Sequence, residues 1–301
     1  MKDTRTKRSP MFYVGDKYRL INEIKQYFPK NIDTFIEPFV GGGTVFLNIQ
    51  AKKYVLNDIN EYVYKLHKFL KGKSDEENFL EEVLKCVKKY NLSRSFVEDI
   101  VPDELKQKYK KTYYAKHNKE GYNKLKQDFN KAKRKDPMIL YILLIYGFNR
   151  MLRFNSKGEF NVPVGNVDFN KNVEKAIKEY FNFVREKEIK LENLDFKPFI
   201  KKNGFKKNDF MYLDPPYLIT FSEYNKIWNE EKEVELLTLL DGLNERNIRF
   251  AISNVTTYKG RKNHIFTDWM KKHNSAKIKS NYISYHDNSN KDFEEVLVFN
   301  Y

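Results

Sequence analysis

Cysteine and long apolar runs are scarce in this chain of 301 residues. The single cysteine, Cys86, cannot form an internal disulfide, so the disulfide-rich secreted class is excluded and a reducing, cytoplasmic compartment is expected. No apolar run approaches the roughly 20 residues that a membrane-spanning helix needs. The N-terminal stretch MKDTRTKRSP is basic with no apolar region after it, and we interpret it as a flexible arm rather than a signal peptide.

Spaced metal ligands and a phosphate-binding loop are also missing. The five histidines are scattered, so they are interpreted as surface or helix residues and no metal site is predicted. There is no Gly-Lys-Ser/Thr string, which argues against a P-loop. The dinucleotide pattern G-x-G-x-x-G fails because position 46 is Phe.

Positive charge and aromatic rings are abundant instead. The formal charge is +15, from 56 basic and 41 acidic side chains, and the chain holds 24 Phe, 21 Tyr and 2 Trp. Such charge favours a polyanion such as nucleic acid, or an anionic membrane face, and aromatic rings can stack on bases. Within residues 106–135, twelve Lys and Arg face only Glu120 and Asp128. A solvated helix face in a protein from a Lys- and Asn-rich proteome would also explain this composition.

The apolar pattern divides the chain into three stretches. In residues 17–70, KYRLINEIKQYF has helical spacing, DTFIEPFVGGG is a strand entering a glycine turn, GTVFLNIQA continues as a helix, and KYVLNDIN is a second strand. Residues 71–189 are rich in Lys, Tyr and Asn, with Glu-Lys helices. Residues 190–301 return to strands (IKLENLDF, FMYLDPPY, RFAISN, EVLVFNY) and helices (EKEVELLTLLDGLNER, TDWMKKHN). The sequence therefore predicts an α/β sheet that a basic insert interrupts.

The first candidate site is the glycine turn in EPFVGGGTVF. Gly41, Gly42 and Gly43 have no Cβ, so their backbone can approach a ligand closely at the carboxyl end of the strand. Asp58 ends the next strand, where a carboxylate can hold both hydroxyls of a ribose. A tight structural turn is the alternative. Turn and acid together indicate an adenosine-bearing cofactor without a pyrophosphate, which S-adenosylmethionine fits.

The second candidate site is Asp214-Pro215-Pro216-Tyr217, directly after the apolar strand FMYL. The strand delivers Asp214 to the sheet edge where ligands bind in open α/β folds. Pro215 fixes φ and so aims its carbonyl. The Asp214 carboxylate and the Pro215 carbonyl can accept the two hydrogens of an exocyclic amine. Tyr217 offers a flat face on which the ring that carries this amine can stack. A tight turn closing a strand is the structural alternative.

DPPY and EPFVGGGTVF, in this order around an insert, resemble the motifs of Dam-type (alpha group) site-specific DNA adenine-N6 methyltransferases, as in restriction–modification systems. The likeness covers nearly the whole chain. It implies a Rossmann-like methyltransferase sheet with helices on both faces and an inserted, mainly helical target-recognition domain bearing a β-hairpin. Residues 1–66 and 190–301 would form the catalytic domain that binds S-adenosylmethionine, and residues 67–189 the DNA-binding insert.

The resemblance also implies cofactor contacts. FYVGDK is similar to the family's N-terminal Trp-Ala-Gly-Gly-Lys-like string, which maps to Tyr13 and Lys17, although Tyr replaces Trp and Asp16 replaces the second glycine. NLDF resembles the element that borders the cofactor's adenine. The predicted cofactor-binding residues are Tyr13, Lys17, Glu37, Pro38, Phe39, Gly41, Gly43, Asp58, Asp195, Phe196 and Asp214.

A hairpin is predicted in FNRMLRFNSKGEFNVPVG, where MLRF and EFNVPV flank the polar turn NSKG. A two-stranded ribbon can enter the major groove of DNA, and bidentate Arg to guanine is the commonest specific contact there. We therefore expect Arg153 to read a guanine, which matches the family's arginine beside the target adenine; a surface ion pair is the alternative. Other candidate DNA contacts are Asn149, Asn155, Ser156 and Lys157.

The expected reaction follows from adenine chemistry. N6 is out of reach inside a duplex, so the base must be flipped out. Tyr217 would stack on the base, while Asp214 and the Pro215 carbonyl accept the N6 hydrogens and stabilise the charge that grows on nitrogen. The sulfonium donor is already activated, so alignment suffices without a metal. The predicted catalytic residues are Asp214, Pro215, Pro216 and Tyr217.

Alternatives stay open on the residues alone. A cytosine-N4 methyltransferase has the same fold but more often carries Ser in place of Asp214. A catalytically inactive DNA-binding protein on the same scaffold would not need intact cofactor and DPPY motifs. Enzymes that methylate protein glutamine or RNA usually show Asn-Pro-Pro-Tyr. A cytosine C5 mechanism is disfavoured because Cys86 lies in no Pro-Cys setting.

The expected partner is double-stranded DNA with a site containing GA, for which GATC is the leading candidate because of the hairpin's likeness to Dam. A cognate restriction endonuclease acting separately is a further possible partner, and a monomer is the default. Phe221 and Tyr224 would line the pocket, stack on the DNA region left by the flipped base, or belong to the core, and the polar loop of residues 287–292 would clamp DNA.

Overall fold

A computed structural model gives the structure for residues 6–73, 75–220, 227–279 and 293–301. Within these ranges the helices are too short or too polar to cross a bilayer. Phe221, Tyr224 and residues 287–292 lie outside the described residues, and their roles stay predictions.

An eight-stranded sheet forms the centre of the described structure, in the order β3-β2-β1-β4-β5-β8-β7 with β6 paired to β5. Strands β3, β2, β1, β4 and β5 are parallel, and β8 runs antiparallel between β5 and β7. The strand order reverses between β1 and β4, which makes their carboxyl ends a switch point where ligands bind. The strands are β1 (Thr34–Glu37), β2 (Lys53–Asn57), β3 (Glu188–Glu192), β4 (Phe210–Leu213), β5 (Arg249–Tyr258), β6 (Arg261–Lys262), β7 (Asn274–Ile278) and β8 (Phe293–Phe299).

Helices cover both faces of the sheet. They are α1 (Ile21–Ile24), α2 (Glu61–Gly72), α3 (Glu76–Lys89), α4 (Asp103–Lys108), α5 (Tyr113–Lys131), α6 (Pro137–Tyr146), α7 (Lys171–Arg185), α8 (Phe196–Lys202), α9 (Glu230–Glu245) and α10 (His264–Met270).

The apolar run of β4 is buried on both sides because side chains alternate across a strand. Phe210 and Tyr212 join an apolar cluster with α1, α2, α6 and α7, whereas Met211 and Leu213 join a second cluster with α8, α9 and α10. The predicted α/β sheet with helices on both faces is confirmed.

One predicted helix is wrong. GTVFLNIQA, expected to continue as a helix after the glycine turn, forms only a 3₁₀ turn at Phe46–Asn48. The backbone is extended again at Ile49, because this stretch has to reach β2 within a few residues. The helix predicted in KYRLINEIKQYF is also shorter, with α1 followed by a 3₁₀ turn at Lys25–Tyr27.

The N-terminal stretch is not a free arm from Lys7 onward, in contrast to the prediction. The Lys7 N–H donates to Asn48 Oδ1 at 2.9 Å, and Asn48 Nδ2 donates back to the Lys7 carbonyl at 2.7 Å. Ser9 and Met11 are fully buried. Residues 7–11 therefore belong to the packed structure beside the glycine turn.

The insert is mainly helical, as predicted, and it shares the core of the sheet. A single apolar cluster runs from the sheet face into α3, α5 and α6. Tyr180 and Phe183 of α7 contact Phe46 against the same face, and Phe183 also contacts Tyr54. The boundaries at residues 66/67 and 189/190 stay a prediction.

The predicted hairpin folds back on itself through isolated bridges rather than continuous strands. Phe154 pairs with Phe160, and Gly147 pairs with Val164, both antiparallel. The turn is closed by the Gly158 N–H, which donates to the Asn155 carbonyl at 2.9 Å. Gly158 has φ of +73°, a conformation that favours glycine.

Candidate active site

A cavity of about 1000 Å³ opens at the carboxyl ends of β1, β2 and β4. Both candidate motifs line it, so the fold joins residues that are far apart in the sequence. The predicted hairpin residues Asn149, Asn155, Ser156 and Lys157 are not among the lining residues. The predicted residues that line it are Tyr13, Lys17, Glu37, Pro38, Phe39, Gly41, Gly43, Asp58, Arg153, Asp195, Phe196, Asp214, Pro215, Pro216 and Tyr217.

The glycine turn forms one wall and requires glycine sterically. Gly41 and Gly43 have φ of +48° and +80°, in the left-handed region. A Cβ on Gly43 would lie 2.5 Å from Phe46 and 2.7 Å from His67, and one on Gly42 would lie 2.8 Å from the Tyr13 side chain. The turn is therefore packed from behind, with its backbone facing the cavity.

Asp58 is tied to this turn. Its Oδ2 accepts the Gly41 N–H at 2.9 Å, and its Oδ1 accepts the Asn60 N–H at 2.9 Å. Burial raises the pKa of the carboxyl to about 6, against these backbone bonds, which lower it. Each carboxylate oxygen keeps a further lone pair, so Asp58 can still accept hydroxyl donors from a ligand.

His67 holds the same turn and was missed as a site residue. It lies in α2 but is buried, and its Nε2 is 2.8 Å from the Gly41 carbonyl oxygen. Burial lowers the pKa of the imidazole to about 4, so the ring is neutral near pH 7 and its Nε2–H donates to that carbonyl. The available signal was its place on the apolar stripe of α2, between Val63 and Leu70.

Glu37, at the end of β1, is a buried acid without a full set of partners. Its Oε2 has no hydrogen-bond partner among the described residues. Burial raises its pKa well above the ordinary value, and the nearby Asp214 adds to that shift. Such an orphaned group beside a cavity is suited to a polar ligand atom.

The Asp214 carboxylate is fixed from two sides. Lys17, 4% exposed, places Nζ 2.5 Å from Asp214 Oδ2. The Tyr217 hydroxyl lies 2.9 Å from Asp214 Oδ1 and 2.9 Å from Glu295 Oε1, so it can donate to either oxygen. The corner thus has one orientation for its carboxylate and one for its aromatic ring.

Glu295, also missed from the sequence, is 2% exposed in β8. Its Oε1 lies 3.9 Å from Lys17 Nζ in addition to its contact with the Tyr217 hydroxyl. Three elements, the N-terminal segment, the β4 corner and β8, therefore meet in one buried charged cluster. An acid directly before the apolar run VLVF was the signal that could have found it.

Three aromatic side chains form another part of the cavity wall. Ring centres of Phe39, Phe196 and Trp228 lie 5.6 to 5.8 Å apart. Trp228 was not predicted; its Nε1–H donates to the buried Glu233 at 2.7 Å. Asp195 caps α8 and accepts from Lys232 Nζ at 2.9 Å. The wall presents flat apolar faces with charged groups at its edge.

The hairpin residues are bonded mostly to one another. Arg153 Nε donates to Asn161 Oδ1 at 2.9 Å, and Asn155 Nδ2 donates to Glu159 at 2.8 Å. Ser156 and Lys157 are exposed at the tip. Phe154 stacks on Tyr62 of α2 with ring centres 3.8 Å apart.

Known proteins are similar to this chain over most of its length. Residues 13–285 match the family described as D12 class N6 adenine-specific DNA methyltransferase. The chain is 34% identical over 303 residues to the type II methyltransferase M.FokI of Planomicrobium okeanokoites, covering 98% of this chain and 43% of that protein. It is 32% identical over 315 residues to modification methylase StsI of Streptococcus sanguinis, with coverage of 98% and 43%.

A third relative is similar in length. The DNA adenine methylase of Escherichia coli K12 is 30% identical over 263 residues, which is 83% of this chain and 81% of that protein. The chain spans less than half the length of the two longer relatives.

Proposed function

This chain belongs to the D12 class of N6 adenine-specific DNA methyltransferases, and from that premise we propose its reaction. It transfers a methyl group from S-adenosylmethionine to N6 of an adenine flipped out of a specific site in double-stranded DNA. The observation that carries the proposal is the Asp214 carboxylate, held between Lys17 and Tyr217 at the cavity. It is an acceptor fixed where a planar amine can enter.

The residues around the cavity fit S-adenosylmethionine. Asp58 has acceptor capacity for ribose hydroxyls, and the buried Glu37 Oε2, which has no hydrogen-bond partner among the described residues, has acceptor capacity for a polar donor. Phe39 and Phe196 offer flat faces for an adenine ring. The backbone of residues 41–43 would lie against the ligand. When bound, the group supplies a methyl carried on a sulfonium.

The DPPY corner acts on the target base. Adenine N6 has two hydrogens, for which Asp214 and the Pro215 carbonyl are the acceptors. As the bond from N6 to the methyl carbon formed, the bond from that carbon to sulfur would break, leaving a neutral thioether. The positive charge growing on nitrogen would be stabilised without reorganisation by the Asp214 carboxylate already in position, and N6 would then lose one of its two protons to solvent. Tyr217, anchored through its hydroxyl, keeps its ring oriented for stacking on the base.

Recognition is assigned to the hairpin. Arg153 is the candidate for a guanine 5′ to the adenine, with Asn149, Asn155, Ser156 and Lys157 as further base or phosphate contacts. A site containing GA follows, and GATC is the first sequence to test. The longer relatives are named as modification and type II methyltransferases, and a separately acting restriction endonuclease is the corresponding partner to look for. A monomer is proposed.

A methyl-transfer assay tests the reaction. The protein is incubated with S-adenosylmethionine labelled in the methyl group and with duplexes that carry GATC, GA in another context, or no GA. The DNA is then digested to nucleosides. Label in N6-methyladenine, restricted to GA-containing duplexes, is expected. Label in N4-methylcytosine, or none in DNA while the protein binds the cofactor, would contradict the proposal.

The site itself is then read from DNA of cells that express the protein. Sequencing of modified bases should show one motif containing GA methylated on adenine. Methylated adenines without a 5′ guanine would contradict the role given to Arg153.

A further inference from the structure

Two arginines lie on one aromatic ring beside the cavity. The guanidinium carbon of Arg150 is 4.2 Å from the centre of the Phe12 ring, and that of Arg8 is 4.6 Å from the same point. Arg8 also lies 4.8 Å from the centre of the Tyr18 ring. Like charges repel in so small a space, so the pair requires a counter-charge.

The described residues provide only part of that counter-charge. Asp16 Oδ2 lies 3.6 Å from Arg8 Nε, too far for a good hydrogen bond. Arg150 has no ion pair within the described residues, and its Nε is buried without a hydrogen-bond partner. Burial and then Arg8 lower the pKa of Arg150 to about 10, which still leaves it cationic near pH 7. One positive charge therefore remains uncompensated.

The backbone on both sides of this contact is in a costly conformation. Phe12, Asn149 and Arg150 have φ of +48°, +52° and +51°, the left-handed region that bulky side chains avoid. The segment before Phe12 is held in place: the Tyr141 hydroxyl donates to the Pro10 carbonyl at 3.1 Å, and the Phe12 N–H donates to the Ser9 carbonyl at 3.1 Å. Such strain concentrates at sites that bind or react.

The residues of this arginine pair and of Phe12 do not line the cavity themselves, but each of Phe12 and Arg150 is followed closely in the sequence by residues that do. Residues 13–17, directly after Phe12, line the cavity, and so do Leu152 and Arg153, close after Arg150. A DNA strand that inserts one nucleotide into the cavity must leave its flanking phosphates outside the cavity, close to the segments that border it.

We propose that Arg150, together with Arg8, binds a backbone phosphate of the strand whose adenine enters the cavity, and that Phe12 is the platform that holds both guanidinium groups. Arginine suits this role because its planar fork matches phosphate and also stacks on an aromatic face. The inference rests on the proposed function, since it requires that the cavity receive a base from DNA.

The salt dependence of DNA binding tests it. Each phosphate contact contributes about 0.9 to the slope of log affinity against log salt concentration. Arg150→Gln removes the charge and keeps much of the stem. We expect its slope, measured by fluorescence anisotropy between about 50 and 200 mM salt, to be shallower by about 0.9 on cognate and non-cognate duplexes alike.

Three further variants make the result specific. Arg150→Lys keeps the charge and should keep the slope. Arg246→Gln makes the same chemical change at the end of α9, on the opposite edge of the sheet, and should leave the slope unchanged. If Arg150→Gln does not fold, Arg8→Gln, at a side chain 37% exposed, should make the slope shallower in the same way.

The failures are distinguishable. An unchanged slope in Arg150→Gln together with a lower melting temperature would show that Arg150 only packs on Phe12, which would overturn this inference and leave the proposed function intact. A wild-type protein that does not bind DNA at all would overturn both.

Discussion

The DPPY corner and the hairpin both contribute residues to the same cavity but are built differently. In the corner, Asp214 contacts a lysine that is 4% exposed, and Tyr217 contacts a glutamate that is 2% exposed. In the hairpin, the Arg153 and Asn155 side chains contact side chains of the hairpin itself at exposed positions. The corner is fixed by three distant parts of the chain. The backbone of the hairpin is also held from outside, by Asn130 and by the stacking of Tyr62 on Phe154. The polar side chains of Arg153 and Asn155, however, have their partners within the hairpin.

This difference matches what each region has to do. A group that stabilises developing charge gains from being fixed in advance, since reorganisation would reduce its effect. A group that reads DNA must exchange its own contacts for contacts with bases, which is easier at an exposed site with short-range partners. Substitutions in the corner should therefore reduce the rate of chemistry, and substitutions in the hairpin should alter which DNA is chosen.

The largest effect is expected for Asp214→Ala. Loss of the fixed acceptor should lower kcat by at least about 10²–10³-fold, while DNA affinity stays close to that of the wild type. Single-turnover methylation and equilibrium DNA binding measure the two separately. Full activity in this variant would mean that the amine acceptor lies elsewhere and that the two regions do not differ as described.

Arg153→Ala should change which DNA site is preferred rather than the rate of methyl transfer. A bidentate contact to guanine is worth about 1–3 kcal/mol, so the preference for GA over the site with that guanine replaced should fall by about 5- to 150-fold. The ratio of kcat/KM on the two duplexes measures it. Arg246→Ala, the same change at the end of α9 and outside the hairpin, is the matched control and should keep the preference. A preserved preference in Arg153→Ala would assign guanine recognition to another residue.

The pH dependence of cofactor binding tests Asp58. Because its pKa is raised to about 6, the carboxylate form that accepts hydroxyls predominates above that pH and is lost below it. Affinity for S-adenosylmethionine should therefore fall by up to about tenfold per pH unit below 6. Asp58→Asn should bind more weakly at pH 7.5 and lose this dependence. An Asn variant that kept the wild-type profile in calorimetry would assign the titration to another group.

The smallest effect is expected for His67→Phe. Phe keeps a planar aromatic ring at this position, but the part-buried Gly41 carbonyl loses its donor, which costs about 1–3 kcal/mol of stability. The turn would then be less well held, and we expect cofactor affinity to fall several-fold. Thermal melting with and without S-adenosylmethionine measures both. A lower melting temperature with an unchanged cofactor-induced shift would limit His67 to packing.

Much of the fold follows from sequence pattern. The run FMYL, apolar at every position, predicts a strand buried on both faces, and β4 is that strand. The glycine turn, Asp58 and the DPPY motif converge because parallel strands end at one sheet edge, which is a general rule. The motifs thus locate the cavity before any coordinates are known.

What could not be predicted depends on contacts between distant segments. The apolar residues of GTVFLNIQA fit a helix, but the short distance to β2 leaves space for a 3₁₀ turn only. Glu295 and His67 become site residues through partners that are 78 and 26 positions away in the sequence. The basic stretch at the N-terminus has a polar composition, yet its backbone pairs with Asn48 and its Ser9 is buried.

The stacking of Tyr62 on Phe154 has a thermodynamic consequence. Tyr62 lies four positions after Asp58, the proposed ribose ligand, and Phe154 directly follows Arg153, the proposed guanine contact. A ligand that shifts the Tyr62 ring should also shift the Phe154 ring. Binding of S-adenosylmethionine and binding of DNA should therefore be coupled. Such coupling is reciprocal: if bound S-adenosylmethionine raises the affinity for DNA by some factor, bound DNA raises the affinity for S-adenosylmethionine by the same factor.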